Sequence, residues 1–162
     1  MTELIDNYAD CIDSRDVIAR VEELEADRET LQEAVNDAQE ALDTFDLETY
    51  EGGLPADLHP INLNGAVTDA KAELDGWEDA DEYNSLKILV EDGEGLPDWN
   101  DGVTLIRDSY FEDYAREFAE EIGAIPDDAK WPCDCIDWEQ AASELQMDYT
   151  SVDFNGVTYW AR

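Results

Sequence analysis

Apolar positions along the chain follow successive rhythms, and each predicts a different element. From 14 to 45, Val17, Val21, Leu24, Arg28, Leu31, Val35, Ala38, Leu42 and Phe45 alternate intervals of four and three, with Arg28 the one charged residue of the series. That alternation keeps them in one seam of a single helix, which at helical rise would be about 48 Å long. Asp13 or Ser14 is placed to cap its start, and Asp16 falls in the first turn, where negative charge is favourable. So long a seam needs a partner, either a second copy in a coiled-coil homodimer or a helix folded back as a hairpin. Arg28 at a core position is expected to fix register or oligomer state at a cost in stability.

Residues 46 to 65 read as a connection, because Gly52, Gly53 and Pro55, then His59 and Pro60, interrupt helical periodicity. From 66 to 78, Val67, Ala70, Leu74 and Trp77 return to helical spacing and predict the second arm of a hairpin. A shorter helix over 81 to 90 offers Leu86, Leu89 and Val90, and the Gly, Pro and Asn residues between 93 and 102 mark a boundary.

Beyond it the period changes. Residues 103 to 106 read as a strand leading to Asp108 as a cap, and a helix over 109 to 122 places Phe111, Tyr114, Ala115, Phe118, Ala119 and Ile122 on one face, closed by Gly123. Asp137 with Gln140 forms a capping-box pattern for a helix from 138 to about 147. Two alternating runs, 150 to 154 and 157 to 161, flank Asn155-Gly156 and predict a β-hairpin with Val152, Phe154, Val157 and Tyr159 on one face. The expected fold class is α+β: a mainly helical region, 1–98, with a long heptad helix or hairpin, followed by a small α/β module, 99–162, ending in the hairpin.

Charge changes the functional picture. The chain carries 44 Asp and Glu against 9 Lys and Arg, a formal −35 over 162 residues. Self-repulsion at that density destabilises a compact state, so a reason other than folding is required. A disordered acidic tail is excluded as that reason, because tails lack large apolar residues, whereas this chain is 43% hydrophobic with acids spread from Glu3 to Asp153. Three readings remain: a halophilic surface whose acidity serves only solubility, a binder of basic proteins, and a mimic of duplex DNA. The count of charges matches roughly 60 Å of duplex at one charge per 1.7 Å. Outward positions of the long helix, including Glu22, Glu25, Glu29, Glu33, Asp37 and Glu40, recur about every 6 Å along the axis, close to the spacing of neighbouring phosphates.

Candidate chemistry is sparse. No glycine-rich phosphate loop, nucleophile elbow or metal-ligand spacing occurs, and the single histidine, His59, has neither base nor ligand partners nearby in sequence. Cys133 and Cys135 lack a second Cys or His pair for zinc, and with Cys11 they make an odd number, so structural cysteines are expected. A protein of this charge would repel nucleic acid, which argues against direct nucleic-acid binding and against a nucleic-acid enzyme. No catalytic residue, cofactor or metal is expected. No apolar run reaches about 18 residues, and the start of the sequence shows no basic and apolar leader. A location in the cytoplasm, with no membrane contact, is the expectation.

Residues 104–162 resemble the C-terminal part of antirestriction proteins of the ArdA type. The resemblance rests on Leu105-Ile106-Arg107-Asp108-Ser109-Tyr110-Phe111-Glu112-Asp113-Tyr114-Ala115, Trp131-Pro132, Cys135-Ile136-Asp137-Trp138 and the run from Asp148-Tyr149-Thr150 to Thr158-Tyr159-Trp160. It implies an elongated, dimeric DNA mimic made by a phage or other mobile element. Such a mimic occupies the DNA-binding channel of a host defence complex in the host cytoplasm. Residues 1–103 carry the heptad helix in place of the family's upstream domains, which leaves both a type I restriction-modification enzyme and a CRISPR-Cas effector as targets. The phosphate-imitating acids would be Glu112, Asp113, Glu117, Glu120, Glu121, Asp127, Asp128, Asp134, Glu139, Glu144 and Asp148, extended by those of the long helix. The rival class is a noncatalytic acidic adaptor that assembles through its coiled coil.

Overall fold

The computed structural model describes residues 5–45, 60–126, 128 and 130–162. The chain divides into two compact units, one made of 1–21 with 84–162 and the other of 22–83. This differs from the expected division at 98/99, and the reason is a strand that sequence periodicity does not reveal. Strand β1, Cys11–Asp13, pairs antiparallel with β2, Thr104–Arg107, so that Ile12 lies opposite Leu105.

The first unit is built on a four-stranded antiparallel sheet of order β1-β2-β4-β3, where β3 is Thr150–Phe154 and β4 is Val157–Ala161. The β3–β4 hairpin has the expected register, with Val152 opposite Tyr159 and Phe154 opposite Val157. Asn155 and Gly156 both adopt positive φ, 51° and 78°, the combination that a two-residue turn matched to strand twist demands.

Alternation divides the side chains between the two faces of the sheet. On one face Ile106 joins Phe111 and Ala115 of helix α5, Phe111–Glu121, and Ala142 of helix α6, Trp138–Gln146. Tyr110, Tyr114, Leu145, Tyr149 and Trp160 pack around them, with the Tyr149 ring edge-on to Phe111 at 5.1 Å. The other face buries Ile12, Leu105, Val152, Phe154, Tyr159 and Ala161, and the Tyr159 hydroxyl donates to the Ala9 carbonyl at 2.8 Å.

Helix α1, Ser14–Asp43, leaves β1 directly. Asp13 accepts from the Arg15 amide at 2.9 Å, so it caps the helix as expected. Ser14 does not cap: its hydroxyl donates to the Trp99 carbonyl and accepts from the Val103 amide, both at 2.7 Å, in a site of 0% exposure. Gly93 closes helix α3, Ala80–Gly93, and Trp99 opens the short helix α4, Trp99–Gly102. The expected boundary between 93 and 102 is therefore structured. A methyl group on Gly93 would come within 2.5 Å of the Trp99 ring, so the missing side chain there is what admits the buried indole.

Within the second unit, helix α2 spans Pro60–Asp75. Its first turn takes in residues expected to be connection, because proline at a first helical position forgoes only an amide that has no partner there anyway. The rest of that connection, 46–59, and with it the reading of His59, lies outside the described residues. Leu24 and Val35 on α1 and Leu63 and Val67 on α2 are buried by the chain's own residues, and Leu31, Ala38 and Leu42 are half-buried. Arg28 corrects its expectation: it is exposed, and its guanidinium lies over the Tyr83 ring at 5.8 Å rather than in a core layer. A long side chain reaching an aromatic face keeps its charge in water while covering apolar surface.

Two expectations for α5 also change. Asp108 makes no capping bond to the helix. Its Oδ1 instead accepts from the Trp160 indole at 2.7 Å and from Gln146 at 3.3 Å, tying the helix entry to β4 and α6. Ile122 is 60% exposed, because the helix ends at Glu121 and Gly123, at φ 71°, turns the chain away. Asp137 caps α6 by accepting from the Gln140 amide at 3.1 Å, but the Gln140 side chain donates forward to Glu144, so only half of a capping box forms.

Candidate acidic interface

Acidity belongs to both units. Residues 22–83 hold 20 acidic against 2 basic residues, a net −18, and the remainder of the chain holds 24 against 7, a net −17. Among the described residues, many of the acids lie on the exposed sides of helices α1, α5 and α6.

On α1 the helical period places Glu22, Glu25, Glu29, Glu33, Asp37 and Glu40 within an arc of about 120°, at rises of about 4.5–6 Å, and all six are exposed. The apolar seam centred on Leu24 and Val35 occupies the opposite side of the same helix. The stripe is therefore what remains outward once the seam is buried. Glu25 is fixed in it by the Tyr83 hydroxyl, which donates at 3.0 Å, while Tyr83 is itself held between Trp77 and the Arg28 guanidinium.

On α5, Glu112, Asp113, Glu117, Glu120 and Glu121 are exposed on the side away from Phe111 and Ala115. Glu117 accepts from the Tyr110 hydroxyl at 2.8 Å. That bond to a carboxylate, together with the surrounding negative charge, pushes the Tyr110 phenol up to about 12. Glu139 and Glu144 on α6, Asp134 on the 3₁₀ turn Cys133–Cys135, Asp148 and Asp128 are likewise exposed. Glu144 is held by the Gln140 amide group at 3.1 Å. Asp127 lies outside the described residues. The tyrosines that orient Glu25 and Glu117 were not legible as site residues: Tyr83 lies 58 residues from Glu25, and only the seven-residue spacing of Tyr110 to Glu117 could have marked the other.

Helix termini sharpen the point. Glu112 and Asp113 occupy the first turn of α5, where the helix dipole favours them, but Glu120 and Glu121 occupy its last turn with no basic residue beside them. Glu40 and Asp43 close α1 in the same way. Negative charge there opposes the dipole at about 0.3–1 kcal/mol each.

Cationic side chains do little to offset this surface. Arg15 is bound to Asp13 at 2.6 Å, Arg28 lies over Tyr83, and Arg116 lies over the Trp138 ring at 5.6 Å. The thiol of Cys11 is pushed up from its ordinary value by burial and then by Asp10 and Glu117. All three cysteines are free. Among the described residues no group of three or more His, Cys, Asp or Glu is placed to hold a metal ion, and no helix is long and apolar enough to cross a membrane. No family model matches the chain, and no curated protein or solved structure matches it.

Proposed function

We propose that this protein is a DNA mimic, made by a phage or other mobile element. It inhibits a host defence complex in the host cytoplasm by occupying its DNA-binding channel. The observation that carries the reading is the α1 stripe, six exposed carboxylates on one helical face at intervals near those of backbone phosphates. The exposed acids of α5 and α6 extend the same chemistry to the module whose sequence resembles the ArdA type. Binding to a Lys- and Arg-lined channel would release the channel's bound anions and replace them with carboxylates already fixed in place. Affinity gained in this way falls steeply as salt rises.

The reading is tested by capture from host lysate on the immobilised protein at low salt, followed by elution with a DNA duplex of about 18 base pairs, the length whose charge this chain matches. Elution of a restriction or CRISPR effector complex by duplex, and loss of capture when Glu22, Glu29, Glu33, Glu112 and Glu117 are changed to Lys, is the expected result. Capture that survives both would favour an adaptor. Failure to fold without molar salt would favour a halophilic surface.

A further inference from the structure

The sheet of the first unit ends on β3, which is paired on one side only, with β4. In a hairpin closed by a two-residue turn, the residues flanking the turn exchange both ladder bonds, and such bonded pairs recur at every second position. Phe154 with Val157, Val152 with Tyr159 and Thr150 with Ala161 are therefore the bonded pairs, and the amides and carbonyls of Ser151 and Asp153 point away from β4. Among the described residues neither of these amides finds a partner elsewhere in the chain. Main-chain groups left open along an edge are a template for another strand, and proteins ordinarily blunt them. Beside this edge lies a cavity of about 290 Å³, lined by β3 from Thr150 to Asp153 together with Asp92, Gly95 and Leu96. Val152 and Leu96 are buried, whereas Thr150, Ser151, Asp153 and Asp92 are exposed. The lining holds two carboxylates and no basic side chain.

We infer that the open edge of β3 receives an extended, basic segment of a partner protein, which pairs with Ser151 and Asp153 as a fifth strand of the sheet. Alternation divides the side chains of such a strand between two faces. Those on the Val152 face would enter the cavity that Leu96 and Asp92 line, where a Lys or Arg covers apolar surface with its stem and keeps its charge near a carboxylate. Those on the other face would lie beside Asp153. A second copy of this chain is disfavoured as occupant, because two β3 strands side by side would set acid along acid between chains of −35 each. Acid on this edge therefore blunts pairing with itself while leaving the edge open to a cationic strand. Main-chain pairing of this kind goes beyond DNA mimicry and does not depend on it.

The test uses the native, full-length protein labelled with ¹⁵N, and three blocked peptides of about seven residues, long enough to span an ordinary strand. One alternates Lys with Val, one alternates Lys with Pro, which keeps the charge but cannot extend a sheet, and one alternates Glu with Val. The Lys-Val peptide should bind about tenfold more tightly than either of the others, and should slow exchange of the Ser151 and Asp153 amides about tenfold or more. The amides of Thr150 and Val152, already bonded to β4, should be unchanged. Equal affinity for the Lys-Val and Lys-Pro peptides, or binding with no added protection at Ser151 and Asp153, would overturn the edge as a docking site. Equal affinity for the Glu-Val peptide would overturn the choice of a basic occupant, and protection of the same two amides that grows with protein concentration alone would give the edge to a second copy instead. Competition by duplex DNA, on which the mimic reading turns, is measured separately and moves none of these readouts.

Discussion

Ser14 offers the sharpest test of how the first unit is held together. Its hydroxyl both donates to the Trp99 carbonyl and accepts from the Val103 amide at 2.7 Å, and its own amide donates to the Val103 carbonyl at 2.9 Å. The side chain is fully buried and Val103 nearly so. Ser14→Ala keeps the backbone bond but removes both hydroxyl bonds, leaving a buried donor and a buried acceptor without partners. Two ordinary bonds are worth about 1–3 kcal/mol together, and an orphaned buried donor costs about 1–3 kcal/mol on the same scale. Because these figures overlap in what they count, a loss of about 2–4 kcal/mol is expected. For a chain of this length that lowers the melting temperature by roughly 5–15 °C. Urea unfolding followed by Trp fluorescence measures it, with the exposed Ser109→Ala as the matched control. A Ser14→Ala change within about 0.5 kcal/mol of the control, at unchanged denaturant slope, would refute the assignment of the site as a buried pin.

Three further outcomes follow from named groups. Gly156 sits at φ 78° with open space where a side chain would go, so Gly156→Ala should cost about 1–2 kcal/mol from backbone strain alone, seen as a lower urea midpoint. Tyr114 is raised above its ordinary 10.0 by burial and by its bond to Tyr149, and Tyr159 is raised by burial. The folded state therefore holds those protons more tightly than the unfolded one, and stability is intact below pH 10 and falls as pH rises from there toward the folded values. Urea midpoints at pH 9, 10 and 11 should show this, with a shallower fall in Tyr114→Phe. Glu120→Lys/Glu121→Lys should raise stability by about 0.5–1.5 kcal/mol through the helix dipole while weakening duplex-competable capture, measured by melting and by the lysate assay.

Elements governed by local periodicity were legible in the sequence. The α5 core face up to Ala119, the Asp137 cap and the β3–β4 register follow from residues within about a dozen positions of one another, and the positive φ values at Asn155 and Gly156 follow from a two-residue turn. What escaped depends on distant partners. The residues of Cys11–Asp13 carry no pattern of their own, and they become a strand because β2 offers an edge far along the chain, Ile12 meeting Leu105. Asp108 has the composition of a cap, yet the Trp160 indole competes for its carboxylate and wins. Arg28 falls on the seam by spacing, but Tyr83 gives its charge an exposed resting place that the heptad pattern could not disclose. At the acidic surface the α1 stripe was readable from spacing alone. The tyrosine hydroxyls that hold Glu25 and Glu117 were not, because they belong to the fold rather than to the charge pattern.

The distribution of acids argues that charge was placed for something outside the fold. A chain that needed only solubility could have interspersed Lys with Glu and gained a few tenths of a kcal/mol from each opposite-charge pair on a helix. Here the exposed α1 face sets Glu25 against Glu29 and Glu29 against Glu33, each a like-charge pair that costs a similar amount. The last turns of α1 and α5 add acids against the dipole where a basic residue would stabilise. At the same time Tyr83 and Tyr110 commit their hydroxyls to orienting two of these carboxylates. Solvated charge needs no orienting. Local choices that oppose stability, combined with contacts that fix the offending groups in position, support the proposal made above of a surface that meets a cation-lined partner.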